Sequence, residues 1–213
     1  MNRTSRLWPL VAGALILVAV WVGPLAVRAA SSFAAHMIMH MAVVALAAPL
    51  LAVGLARAFP AATNRIPAGV AIVASFAEFA IVWGWHAPAP HDLARTDAFV
   101  FAVEQTSFLL AGLIVWLSAL GAAGATQLRS RAAGVVALLV TSMHMTLLGA
   151  LLLMSPRTLY ACAEICSPLA TMTPLADQQA GGVIMLIVGG SAYLVGGLAC
   201  LASILNDTSA RPA

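Results

Sequence analysis

The sequence predicts an all-α, polytopic transmembrane helix bundle of about six spans, and three observations carry that prediction. The 213 residues are 62% hydrophobic and 8% charged, with a mean hydropathy of +1.01, values outside the range of a soluble domain. Apolar runs of about 20 residues, the length that crosses a bilayer at about 1.5 Å per residue, recur along the chain. Between them lie the short breaks RAFPAATNRIP, HAPAPHDLARTD and GAAGATQLRSR and a longer stretch from Ser155 to Asp177. None of these has the character of a second domain, so residues 1–213 read as one transmembrane domain.

The spans follow in order. The first, 8–27, runs through an apolar segment behind Arg3 and Arg6. VRAA near residue 30 resembles a signal-peptidase site, and cleavage there would leave five spans. The run from Trp8 to Val27 is long enough to cross, so it is read as retained. The second, 34–55, opens with HMIMHM; the third, 68–86, ends in WGWH; the fourth, 98–120, carries Glu104 and Gln105. The fifth, 133–154, contains MHM around His144, and the sixth, 178–205, follows Asp177.

All ten basic residues are arginine. Residues 3, 6, 57, 65, 129, 131 and 211 fall on one side of this arrangement and 28, 95 and 157 on the other. The positive-inside rule then places both termini in the cytoplasm. A net charge of +3 spread over loops is a topology signal, with no phosphate-binding patch, and it excludes nucleic acid as a partner. No nucleophile–base pair or phosphate loop occurs at usable spacing, so the chain does not read as an enzyme.

Ionisable side chains inside spans cost roughly 2.5–3.5 kcal/mol each on insertion scales, which makes every one a functional candidate. His36 and His40 are four apart, hence stacked on one helical face at the outer end of the second span, and Met37 and Met41 repeat the offset on the adjoining face. Imidazole with thioether sulfur selects copper, and Cu(I) in particular, over magnesium or calcium. His86 closes the third span at the same outer level, Glu104 lies about two turns into the fourth, and Asp177 opens the sixth. Each also has a structural reading: His86 as an interfacial residue beside Trp83 and Trp85, Glu104 with Gln105 as an interhelical hydrogen bond, Asp177 as the N-cap of its own helix.

Deeper in the membrane, Glu78 is about 12 Å below the outer end of its span and His144 roughly 17 Å from the inner end of its own. These two are candidates for a buried polar pair between helices, and His144 for an axial haem ligand. The outer stretch CAEIC holds Cys162 and Cys166, for which a disulfide, a thiolate copper site and unrelated thiols are all open, while Cys200 lies in a span and reads as core.

Three segments together resemble a known family: HMIMHMAVVALAAPLLAVG; WGWHAPAPHD followed by VEQTSFLLAGLIVW; and TPLADQQAGGVIMLIVGG. They are similar to the integral-membrane CtaG family of cytochrome c oxidase assembly factors, over about His36 to Gly190. The resemblance implies a multi-pass protein needed to make a haem-copper oxidase, with copper handling as its usual supposition. The family's H-M-x-x-H-M element falls on His36, Met37, His40 and Met41, its tryptophan–histidine element on Trp85 and His86, and its D-Q-Q element on Asp177, Gln178 and Gln179. Where relatives commonly read glutamate–histidine, this chain has Glu104–Gln105, one imidazole fewer, and a tryptophan often found after the final I-M is Leu186.

The expectation is therefore an assembly factor in which His36, His40, His86, Met37 and Met41 bind transient Cu(I). Glu78, Glu104, His144, Asp177 and Gln178 are further polar or ligand candidates. The partners are an oxidase subunit, the lipid bilayer and a periplasmic copper donor. Haem binding with electron transfer, or a cofactor-free scaffold, is the alternative.

Overall fold

The computed structural model describes residues 3–123, 127–160 and 172–209; Cys162 and Cys166 lie outside the described residues. The described chain is helical without strands. Helix α1 spans Arg3–Val22 and ends five residues before the predicted limit, because Gly23 is extended and Pro24 starts a separate short helix, α2, Pro24–Ala29. Val11, Leu15, Val18 and Val22 form an outward apolar stripe on α1, suited to lipid.

Helix α3 runs Phe33–Ala58. Its interior widens into a π-helical segment over Ala42–Ala47, directly before Pro49. Proline offers no N–H to the carbonyl of Ala45 and its ring crowds the preceding turn, and the wider register relieves both. The Val44 carbonyl is satisfied by the Trp116 indole at 3.0 Å.

A single turn, α4 (Pro60–Thr63), leads to α5, Gly69–Trp85. The break HAPAPHDLARTD is not the irregular connection that the sequence suggests: it folds into helix α6, Pro88–Thr96, inclined 72° to α5. Ala87 is extended before Pro88, as a residue preceding proline prefers, and Pro88 takes the helix-starting position. Asp97 then caps α7, Ala98–Leu120, accepting from Phe99 N at 2.8 Å and Val100 N at 2.9 Å. Helix α8 is Gln127–Met154. Helix α9 starts at Pro174, passes through a second π segment at Met185–Gly189, and continues to Ser209.

Among the described residues four helices are long and apolar enough to cross a membrane: α3, α7, α8 and α9; the bent pair α5–α6 makes a fifth if counted as one span, and Leu7–Val22 is a shorter apolar helix. Helix α3 packs against α1, α7 and α9, and α8 packs against α5, α7 and α9. At the α8–α9 crossing two glycines let the backbones touch: a Cβ at Gly182 would lie 2.7 Å from Gly149 O and 2.7 Å from Leu153 N. Glycine to alanine normally stabilises a helix by roughly 0.5–1 kcal/mol. Gly182→Ala should instead destabilise by about 1–3 kcal/mol, as overpacking does, because backbone atoms have no rotamer in which to yield. A lower thermal midpoint in detergent checks this, and an unchanged or raised midpoint refutes it.

Candidate metal centre

The outer half of α3 supplies the first two groups. Ser32 caps the helix, its hydroxyl accepting from Ala35 N at 3.2 Å, and one helical face then carries His36 and His40. The rings stand edge to face with centroids 4.1 Å apart, and both are buried. Facing them, α7 contributes Glu104, 0% exposed, whose Oε1 lies 3.4 Å from His36 Nε2 and 3.7 Å from His40 Nε2. The end of α5 adds His86, with its ring 6.0 Å from that of His40, and α6 adds His91, 5.2 Å from His36.

The hydrogen bonds assign the ring protons. Arg95, on α6, donates to His36 Nδ1 at 2.8 Å, so the His36 proton is on Nε2 and points to Glu104. Gln105 donates to His40 Nδ1 at 3.2 Å and to Glu104 Oε2 at 3.2 Å while accepting from the Trp21 indole at 3.1 Å. His86 donates from Nδ1 to the Val82 carbonyl at 2.6 Å, which leaves the lone pair on Nε2. A ring fixed by a backbone carbonyl through one nitrogen, with the other free, is the usual state of a metal-binding histidine.

Tyr160 lies over this end, stacked on Phe33 at 4.9 Å and tilted against His91 at 4.2 Å, and donates to the His86 carbonyl at 3.0 Å. Burial, reinforced by the nearby Asp92 carboxylate, pushes its phenol up, so it stays a donor. His91 is buried between Tyr160 and His36, its ring 4.2 Å from the first and 5.2 Å from the second.

His36, His91 and Glu104 each present one ligand atom, and these lie within 4.8 Å of one another. Ligands sharing an ion at about 2 Å are roughly 3–4 Å apart, so small side-chain movements would close this set on one metal. The buried His40 Nε2 and His86 Nε2 have no hydrogen-bond partner, a costly condition in an apolar interior and one that an ion would relieve at His86 directly. Imidazole and carboxylate donors fit copper, zinc or iron better than magnesium or calcium.

Several sequence candidates lie elsewhere. Met37 and Met41 turn to α9: a Cβ at Gly181 would meet Met37 Cγ at 3.0 Å, and one at Gly189 would meet Met41 Sδ at 3.0 Å. Successive helical residues diverge by about 100°, so the thioethers belong to the α3–α9 seam and not to the imidazole face. Asp177 is not the cap of its own helix, a role taken by Thr173. It caps α3, accepting from Ser32 Oγ at 2.8 Å, Phe33 N at 2.5 Å and Ala34 N at 3.2 Å. Gln178 accepts from Leu159 N at 2.8 Å and donates to Arg157 O, fastening the chain beyond α8.

Glu78 and His144 do not form a pair: Glu78 accepts from Tyr193 and from Thr141, whereas neither His144 nitrogen has a partner and its ring rests edge-on against Phe79. Cys200 is buried, as a core residue would be. Sequence reasoning missed His91 and Arg95. Their i, i+4 spacing behind Pro88 at a helix start was the available signal, masked by reading two prolines as a loop.

Fold and site thus define a multi-pass helical membrane protein with a buried imidazole–carboxylate cluster near one end of its bundle. The family model described as cytochrome c oxidase caa3 assembly factor (Caa3_CtaG) matches residues 2–207, and the chain belongs to that family. No curated protein and no solved structure matches it.

Proposed function

We propose that the protein carries copper, as Cu(I), at the cluster of His36, His40, His86, His91 and Glu104 and passes it to a subunit of a haem-copper oxidase during assembly. The observation that carries this reading is the convergence of four buried histidines and one buried carboxylate from α3, α5, α6 and α7. Such donors suit several imidazole-binding metals; membership of an oxidase assembly family favours copper among them. Copper is cargo here, bound and released without any bond being made or broken in a substrate.

The same end of the bundle bears Arg28, Arg95 and Arg157, while Arg57, Arg65, Arg129 and Arg131 mark the other. The positive-inside rule therefore favours an outward-facing cluster, cytoplasmic termini and a bacterial inner membrane, with α1 and the α5–α6 pair completing six crossings. On this topology a periplasmic donor supplies the metal. A small ion suits the site better than a haem, since the His36 ring edge and the Phe108 ring, 4.4 Å from His40, occupy the space beside the histidine faces.

Purified protein loaded under reducing conditions should hold about one copper per chain, and the double variant His36→Ala/His40→Ala less than half of that at equal free copper. Equal copper in the two would remove the cluster as the site.

A further inference from the structure

Arg95 stands between the cluster and an outer cavity. Its guanidinium donates to His36 Nδ1 at 2.8 Å on one side. On the other it lines a cavity of about 270 Å³ bordered by Ala26, Ala30, Asp97 and Phe101, at the junction of α2 with the start of α7. Behind it His36, His40 and Glu104 are at most 2% exposed. The guanidinium engages the single lone pair of the neutral His36 ring through Nδ1, so a metal taking His36 at either nitrogen ends that hydrogen bond, and it lies within the electrostatic reach of Glu104, the carboxylate that a metal would neutralise. A fixed cation and an incoming one compete for the same lone pair and the same negative charge.

We propose that Arg95 is the gate of this site: a built-in counter-cation that holds the empty cluster closed and is displaced into the outer cavity when copper enters. The proposal rests on the copper reading above. It gives the carrier a means of release, because the guanidinium is poised to reclaim His36 Nδ1 and Glu104 as the metal leaves. The charge beside the buried Glu104 is then conserved, one cation exchanged for another, while Asp177 and Asp92 also lie within the electrostatic reach of Arg95. A residue that merely positioned His36 would act in the opposite direction, since its loss would loosen the ligand set.

Cu(I) affinity measured on the purified full chain by competition with a chromogenic chelator distinguishes the two. Arg95→Gln, which keeps a hydrogen-bonding side chain without the charge, should bind copper at least about tenfold more tightly and release it more slowly. Arg95→Lys, which keeps the charge, should stay within about threefold of wild type. Weaker or unchanged binding in Arg95→Gln, while wild type binds copper, overturns the gate and leaves the carrier reading standing. Tightening by Arg95→Lys as large as by glutamine overturns the charge exchange. Absence of copper from wild type and variants alike overturns both readings.

Discussion

Replacing Glu104 by glutamine should lower Cu(I) affinity by about a hundredfold, or about 2.7 kcal/mol, with helical content unchanged. Glu104 lies within salt-bridge distance of two buried histidines, with its Oε1 3.4 Å from His36 Nε2 and 3.7 Å from His40 Nε2. The histidines offer copper lone pairs and no charge. On the exchange proposed above, a cuprous ion takes the place of the Arg95 charge beside His36 in a site closed to water, and Glu104 is the carboxylate that balances it. At an effective dielectric of about 20, a charge pair at about 4 Å is worth roughly 4 kcal/mol, and partial relaxation of the neighbours brings that near the expected loss. Glutamine preserves the volume and an acceptor for the His36 N–H, so the fold has little reason to change. Affinity within threefold of wild type would mean that the ion, if bound, is held away from Glu104.

How far the sequence could be read depended on which quantity each inference needed. Bilayer-crossing runs are a matter of length and apolarity, so the long helices α3, α7, α8 and α9 were legible, and α1 ended early only because Gly23 and Pro24 break it. The stacking of His36 on His40 follows from i, i+4 spacing alone. Depth, however, does not fix direction around a helix axis. Glu78 was placed at the right level to be a buried polar residue, but its partners are Tyr193 and Thr141, not His144. Met37 and Met41 face the α3–α9 seam for a related reason, since neighbours of the two histidines in sequence must face about 100° away from them. The inclination of α6, which turns a proline-rich connection inward and delivers His91 and Arg95, is tertiary and left only the faint mark of Pro88 at a helix start.

Asp177→Ala should destabilise the protein by about 3 kcal/mol and loosen copper with it. The carboxylate closes three donors at the beginning of α3, the Ser32 hydroxyl and the Phe33 and Ala34 amides, and so ties α9 to α3 at the end where the histidines begin. Free amides at a helix N-terminus are where a negative charge is most stabilising, and here the charge comes from another helix. Alanine leaves those donors without their acceptor in a half-buried place, and hydrogen bonds to a charged group are worth about 1.5–3 kcal/mol each before water replaces part of them. His36 is in the first turn, its amide bonded to Ser32 O at 3.1 Å, so fraying of that turn reaches the ligand set directly. Asp177→Asn keeps one acceptor oxygen and should cost about half as much. Unfolding followed by circular dichroism in mixed micelles measures the loss, with chelator competition on the same samples. A change below about 0.5 kcal/mol, the scale of an ordinary surface substitution, would show that α3 holds its end without Asp177. A full loss of stability with unchanged copper affinity would instead separate the cap from the cluster, and place the origin of metal affinity in α5, α6 and α7.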